Sequence, residues 1–258
     1  MGNFVIVETL QPGLALVTLN RPERRNALCI EMVDELCFHV ETLATSRSAR
    51  VMILNGAGPI FCSGLDLSEA SQPELVDRSA TSLAKVLQLM RSTELVTIAA
   101  AQGGAYAGGA GLMAACDFAV GSNELKIGFP EARRGLLPAL ICAVMSPKVR
   151  EGDLRELFLV GNNIDANRAL QIGLLQRVVP LEKLLPSAIE MAEGVLAGGP
   201  ETIKATKMLL NQAYAPQEPV SISHMIETHL AARNSSEATE GLAAFIEKRL
   251  PKWMASEK

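Results

Sequence analysis

Between Gln102 and Asp117 the chain places five glycines within nine positions: Gly103, Gly104, Gly108, Gly109 and Gly111. An apolar run, Leu95 to Ala101, precedes them and a helix-compatible run follows, so the stretch reads as strand, sharp turn and helix start. Glycine allows tight turns and close backbone approach. A helix start offers unpaired N–H groups at the positive end of the helix dipole. Such donors suit an anion, or a carbonyl oxygen that becomes one. A second loop with bare amides, Cys62-Ser63-Gly64-Leu65-Asp66, leaves another strand. Two backbone donors converging from separate loops would meet charge as it develops on one oxygen. The remaining candidate is Glu131 in Gly128-Phe129-Pro130-Glu131, a carboxylate at a strand exit beside an apolar pair. Desolvation there would raise its pKa toward that of a proton shuttle. The residues alone leave two plainer alternatives open: a glycine turn that only packs a helix onto a sheet, and a first-turn glutamate favoured by the helix dipole.

Gly109-Ala110-Gly111-Leu112-Met113-Ala114 also fits the relaxed dinucleotide fingerprint G-x-G-x-x-A after a strand. That fingerprint requires a following strand ending in an acidic ribose ligand. Here Phe118 to Val120 ends in Gly121-Ser122, which argues against a nicotinamide enzyme, and the chain contains no P-loop sequence.

The elements that must hold these groups follow from periodicity. Leu14 to Leu19, Val51 to Leu54 and Val96 to Ala101 are short apolar runs of strand formers, ended by turn residues. Phe118 to Val120 and Leu125 to Ile127 are two further strands. Ile30, Val33, Leu36, Val40 and Leu43 form a helical stripe over Ile30 to Ala44, and a second helix is expected around Leu75 to Met90. Strand–turn–helix units therefore recur at Thr18, Ile53 and Ile98, suggesting stacked β/α turns. From Glu131 onward the chain reads as helical, with Asp165 as an N-cap before Ala166 to Ile172. Leu181 to Leu196, Glu201 to Tyr214, Val220 to Ala232 and Ser236 to Leu250 form a helical tail. Its apolar surface needs a partner, either the core or another subunit.

Composition excludes several classes. Of 258 residues, 48% are hydrophobic and 20% charged, as in a globular protein with a sizeable core, and the net charge of −4 gives no footprint for nucleic acid. No run reaches membrane-spanning length. Met1 to Thr9 lacks the charged start and apolar stretch of a signal peptide, so a cytoplasmic location is expected. Cys29, Cys37, Cys62, Cys116 and Cys142 are odd in number, widely spaced and mostly in apolar surroundings, so buried reduced thiols are expected. No CxxC pair occurs, and His39, His224 and His229 have no ligand spacing, so no metal is expected.

Taken together, the stations resemble the crotonase family, the enoyl-CoA hydratases and isomerases. They are Asn20-Arg21-Pro22 with Asn26-Ala27-Leu28, Phe61 to Asp66, Gly103 to Asp117, Pro130-Glu131 with Gly135, and the tail Gly241 to Trp253. They cover nearly the whole chain in order. The resemblance implies an α/β fold, a crotonase-type spiral of ββα turns over residues 1–195, with a C-terminal helical trimerisation region over 196–258. A homotrimer or dimer of trimers is implied, with an acyl-CoA thioester as substrate and no cofactor or metal; coenzyme A would be part of the substrate. By position, the oxyanion hole falls on the N–H groups of Leu65 and Gly108, and the acid/base residue on Glu131. Coenzyme A is expected along Arg24, Arg25 and Ala27 and along Phe61, Ser63, Gly64 and Asp66, with Phe245 and Lys248 on the last helix as further contacts.

One departure bears on the reaction. Typical hydratases of the family carry a second glutamate three residues past the oxyanion glycine, where this chain has Gly111. Family isomerases that move a double bond between the 3- and 2-positions work with one carboxylate. Against that, Ala107 to Asp117 with Glu131 to Ala139 looks most like bacterial methylglutaconyl-CoA hydratases, which also tend to have glycine there. After Pro138-Ala139 that group continues Ile-Ser-Pro, whereas this chain reads Leu140-Ile141-Cys142. The expected activity is reversible hydration of a 2-enoyl-CoA. The single-glutamate isomerase is the alternative, and an inactive acyl-CoA-binding protein the minor one.

Overall fold

The computed structural model describes residues 3–254 except 71, 73 and 215–220. Strands β1 (Val5–Gln11) and β2 (Gly13–Leu19) form an antiparallel pair, followed by α1 (Ile30–Ser46) and β3 (Ala49–Gly56). Next come α2 (Leu67–Ala70), α3 (Val76–Ser92), β4 (Val96–Ala101), β5 (Gly104–Tyr106) and α4 (Gly108–Ala115). The middle of the chain holds β6 (Phe118–Ser122), β7 (Lys126–Gly128), α5 (Ala139–Met145), α6 (Glu151–Arg155), β8 (Ile164–Asp165), α7 (Ala166–Gln171) and β9 (Arg177–Val179). Helices α8 (Leu184–Leu196), α9 (Pro200–Ala213), α10 (Ile222–Arg233) and α11 (Ser236–Ile246) complete it.

A six-stranded sheet runs β1-β2-β3-β4-β6-β9, parallel from β2 onward, and a small sheet runs β5-β7-β8. The turns that start at β3, β4 and β6 each add a strand to the large sheet, then a bridge or short strand to the small one, and then a helix. β3, β4 and β6 lie side by side in the large sheet, whereas a bridge at Cys62, then β5, then β7 stack in the small one. The expected repeat is visible in register, with Ile53 opposite Ile98.

Strands β2, β3 and β4 of the large sheet read as apolar runs because both faces are covered. Along β3, Met52 and Leu54 face the core beneath α1, α3 and α4. Val51 and Ile53 face the other way, with Leu184, Ala188 and Ala192 of α8. All five stripe residues of α1 are buried.

Several expectations are corrected. β1 was not anticipated because its outer positions are half-buried or exposed, leaving little apolar signal. The region after Glu131 is not wholly helical: Ile164–Asp165 and Arg177–Val179 join sheets as strands too short for a periodicity to register. Cys142 is exposed, while the other four cysteines are buried as expected. Asp165 does cap α7, accepting from the Arg168 N–H at 2.8 Å. The last helix ends at Ile246, short of Leu250, and the expected start at Val220 lies outside the described residues. Lys207 on α9 ties the tail to the core: its ammonium donates to the Leu95 carbonyl at 2.6 Å and to Asp117 at 2.7 Å. No helix among the described residues is long and apolar enough to cross a membrane.

Candidate active site

The loop after β3 is held by side chains from the Asn20 to Leu28 segment. The fully buried Asn26 amide donates to the carbonyls of Ala57, Ile60 and Phe61 at 2.8–3.1 Å, and its oxygen accepts from the Arg21 N–H. Arg21 pairs with Asp66 at 2.5 Å. A parallel bridge then fixes the direction of the loop. Leu28 N–H donates to the Gly64 carbonyl, and Asp66 N–H donates to the Leu28 carbonyl. Since both neighbours of Leu65 point to Leu28, the Leu65 amide faces the opposite side. It donates to no acceptor among the described residues.

Gly108 opens α4, so its N–H is one of the orphan donors of a helix start. Ala107 before it is held at φ 50° and donates to the Gly128 carbonyl at 2.9 Å. The two loops touch at Gly64, whose φ of +94° disfavours any side chain. A Cβ there would lie 2.9 Å from the Tyr106 carbonyl oxygen and 3.3 Å from the Gly108 nitrogen. Close approach thus sets Gly64, the neighbour of Leu65, against the Gly108 nitrogen, and Leu65 and Gly108 line one cavity.

Glu131 enters from the end of β7, the strand tied to Ala107. Its segment is anchored by Phe129, fully buried and edge-on to Phe158 at 5.1 Å. The Glu131 side chain is buried, only 7% exposed, and its Oε2 has no hydrogen-bond partner among the described residues. Burial pushes its pKa up to about 7, against its own backbone N–H and the Arg134 charge, which pull it down. Arg134 is itself lowered by burial and stacks over Phe245 of α11, 3.9 Å from the ring centroid. Helix α11 sits close because Gly241 touches the Arg134 carbonyl, where a Cβ would come within 2.3 Å.

These groups surround a cavity of about 770 Å³. Of the residues expected there, Arg24, Arg25, Ala27, Ser63, Leu65, Asp66, Gly108, Glu131 and Phe245 line it, with Gly64 directly beneath the Gly108 amide. Two do not line it within the single chain. Phe61 is fully buried in the core, its backbone bonded to Gln102 and Asn26, so it supports the loop from behind. Lys248 follows the end of α11 at φ 55° and is exposed, where a contact would have to be made across a subunit boundary. Asp66 is largely engaged by Arg21 and Ser68, which hold its carboxyl below the usual range despite burial.

Sequence reasoning missed Tyr106, Arg134, Leu137, Ile141, Asn162, Asn163, His229 and Arg233. Asn162, Asn163, His229 and Arg233 lie on segments without a motif. His229 and Arg233, however, are four apart on one helix, a spacing that puts both on one face. Gly111 explains what occupies the second-glutamate position: a Cβ there would meet Ile141 Cγ1 at 3.1 Å, so an aliphatic side chain from α5 fills that place.

A family model for enoyl-CoA hydratase/isomerase matches residues 9–256. The enoyl-CoA hydratase EchA19 of Mycobacterium tuberculosis is 31% identical over 242 residues, covering 92% of this chain and 91% of that protein. The short-chain-enoyl-CoA hydratase of Clostridium acetobutylicum is 28% identical over 251 residues, 96% of each chain. Among solved structures, an enoyl-CoA hydratase from Mycobacterium avium superposes with a TM-score of 0.89 at 30% identity, over 98% of this chain and 100% of that one.

Proposed function

The chain belongs to the enoyl-CoA hydratase/isomerase family, and from that premise we propose that it adds water reversibly to a 2-enoyl-CoA, with Glu131 moving both protons. One observation carries the reading. A buried carboxylate whose Oε2 has no partner among the described residues, its pKa near neutrality, lines the same cavity as two backbone donors from separate loops. The thioester oxygen accepts from the N–H groups of Leu65 and Gly108, which polarises the double bond. The ionised Glu131 takes a proton from water as the water oxygen bonds to C3. The electron pair of the double bond moves through C2 onto the thioester oxygen. Glu131, now neutral, returns a proton to C2 and is ionised again, and dehydration is the reverse. Arg24 and Arg25 at the cavity wall suit the phosphates of coenzyme A.

Ile141 opposite Gly111 favours a second reading. With no carboxylate there, Glu131 would instead carry a proton from C2 of a 3-enoyl-CoA to C4, and water would take no part. Purified wild type and Glu131→Gln are to be assayed on a 2-enoyl-CoA and the matching 3-enoyl-CoA by the conjugated thioester absorbance. Hydration removes absorbance and gives a hydroxyacyl product by mass; isomerisation creates absorbance from the 3-enoyl substrate. Binding without turnover of either would mark an inactive acyl-CoA-binding protein. A Glu131→Gln variant with an intact rate would overturn the proton assignment.

Self-association as a trimer or a dimer of trimers is part of the same proposal. Leu209, Leu210, Ile246, Leu250 and Met254 expose apolar surface on the C-terminal segments. Light scattering during size-exclusion chromatography reads the mass directly, and a monomer of 27.5 kDa would refute it.

A further inference from the structure

The turn that carries Glu131 is seated on the last helix, backbone against backbone. The Glu131 carbonyl accepts from the N–H groups of Arg134 and Leu136, each at 2.9 Å, which closes the turn. Helix α11 touches it twice with no side chain between. A Cβ at Gly135 would lie 2.3 Å from the Glu237 carbonyl carbon, and one at Gly241 would lie 2.3 Å from the Arg134 carbonyl oxygen. Phe245, one turn beyond Gly241, then supplies the face on which the Arg134 guanidinium stacks.

Glu131, Arg134 and Phe245 all line the cavity. The guanidinium and the carboxylate nevertheless form no direct pair: Glu131 Oε2 has no hydrogen-bond partner among the described residues, and Arg134 is held by the ring. That separation has a chemical consequence. A direct pair would occupy the carboxylate as an acceptor and push its pKa far below neutrality, which would spoil a general base. With no cation near, burial would favour the protonated form more strongly. A cation at one remove avoids both. Burial, the largest influence, raises Glu131 and lowers Arg134. Its own backbone N–H and then the Arg134 charge bring Glu131 down, and the Glu131 charge brings Arg134 up.

The surrounding elements offer little competition. Helices α4 and α5 carry no charged residue. Arg133, in the same turn, donates to the Val160 carbonyl and to Asn162. On α11 and just after it, Glu240 and Glu247 pair with Arg249, while Glu237 and Lys248 are exposed. Glu156, on the segment packed against the turn, pairs with Arg168. Arg24, Arg25, His229 and Arg233 line the same cavity, and Asp66 there is paired with Arg21. We propose that Arg134 is a positioning residue for the acid/base step, a counter-charge that Phe245 holds at one remove so that Glu131 is ionised when it must accept a proton. This rests on Glu131 as the proton carrier but not on which enoyl-CoA reaction follows.

The test reads Glu131 itself. Full-length protein, isotopically labelled at the glutamate side-chain carboxyl carbon, is titrated by NMR, with the Glu131 signal identified by its loss in Glu131→Gln. The wild-type midpoint is expected near 7. Arg134→Met should move it up by about one pH unit, as for loss of an opposite charge nearby. Arg134→Lys should keep most of the wild-type value. Phe245→Leu unseats the charge without removing it and should give a smaller rise. The midpoint of kcat/KM should follow in each variant, with KM little changed. A Glu131 midpoint that stays in place in Arg134→Met, or in Phe245→Leu if Arg134→Met does not fold, overturns the proposal. So does a rise in KM alone, which would make Arg134 a coenzyme A contact. A moved titration without turnover of any enoyl-CoA would sink the proposed reaction and leave the counter-charge standing. Turnover with an unmoved titration would do the reverse.

Discussion

Two walls of the cavity are built on opposite principles. The wall carrying Leu65 and Gly108 is backbone held by backbone: a bridge to Leu28, the Asn26 clamp, the Ala107 bond to Gly128 and glycines with no space for a side chain. The wall carrying Glu131 is made of side chains, with Phe129 buried in the same segment, Ile141 on the cavity lining and a carboxylate whose Oε2 has no partner among the described residues. The first offers fixed dipoles whose charge never changes. The second offers a group poised between two protonation states because burial destabilises the charged one. A transition state that gains charge on oxygen while a proton moves needs one wall of each kind.

Breaking the side-chain wall should have the largest effect. Glu131→Gln is expected to lower kcat by roughly 10²–10⁴-fold, the span of general acid–base catalysis. Thermal stability above pH 7 should hold or rise, since a buried charge is gone. A matching drop in both rate and melting temperature would mean that Glu131 is structural.

Breaking the backbone wall comes next. Gly64→Ala forces a Cβ to 2.9 Å from the Tyr106 carbonyl at a positive φ. Displacing one donor should cost roughly 10²–10³ in kcat, together with about 1–3 kcal/mol of stability from backbone strain. Denaturant unfolding reads the second effect. An active, fully stable variant would show that the two loops tolerate separation.

The two walls should also separate in their pH response. The Glu131 pKa in the folded protein, about 7, lies above the ordinary 4.5. The folded state therefore binds more protons between these values, and stability falls as pH rises from about 4.5 to 7. Linkage allows on the order of 3 kcal/mol for such a shift. kcat/KM should rise as the carboxylate ionises, with its midpoint near 7. Glu131→Gln should flatten both curves, whereas Gly64→Ala should lower activity without moving the midpoint.

The smallest effect is expected at Ile141, which packs against Gly111. Ile141→Val removes one methyl and should cost about 0.5–1.5 kcal/mol. Looser exclusion of water should also draw the midpoint of the pH profile slightly below that of the wild type. A midpoint unchanged within error would show that Ile141 takes no part in desolvating Glu131.

Much of this was legible in the chain. The apolar runs at β2, β3 and β4, the α1 stripe and the Asp165 cap are local signals, and the structure keeps them. Glycine at 64, 108 and 109 and glutamate at 131 marked both walls, since residues with special backbone or ionisation properties stand out by type. Strands β1 and β9 were not legible, because exposed or three-residue strands depend on a neighbour that periodicity does not reveal.

The sequence by itself determined which residues could donate, accept or turn. Tertiary structure alone decided which of them share a space. Phe61 belongs to the core and Lys248 to the surface, although both lie within motifs, because a motif specifies spacing along the chain and burial depends on what packs behind it. His229 and Arg233 reach the cavity through the packing of α10 on α3 and α5, both distant in the chain. Desolvation of Glu131, the source of its raised pKa, likewise belongs to no single segment. It comes from apolar groups of several elements closing around one carboxylate.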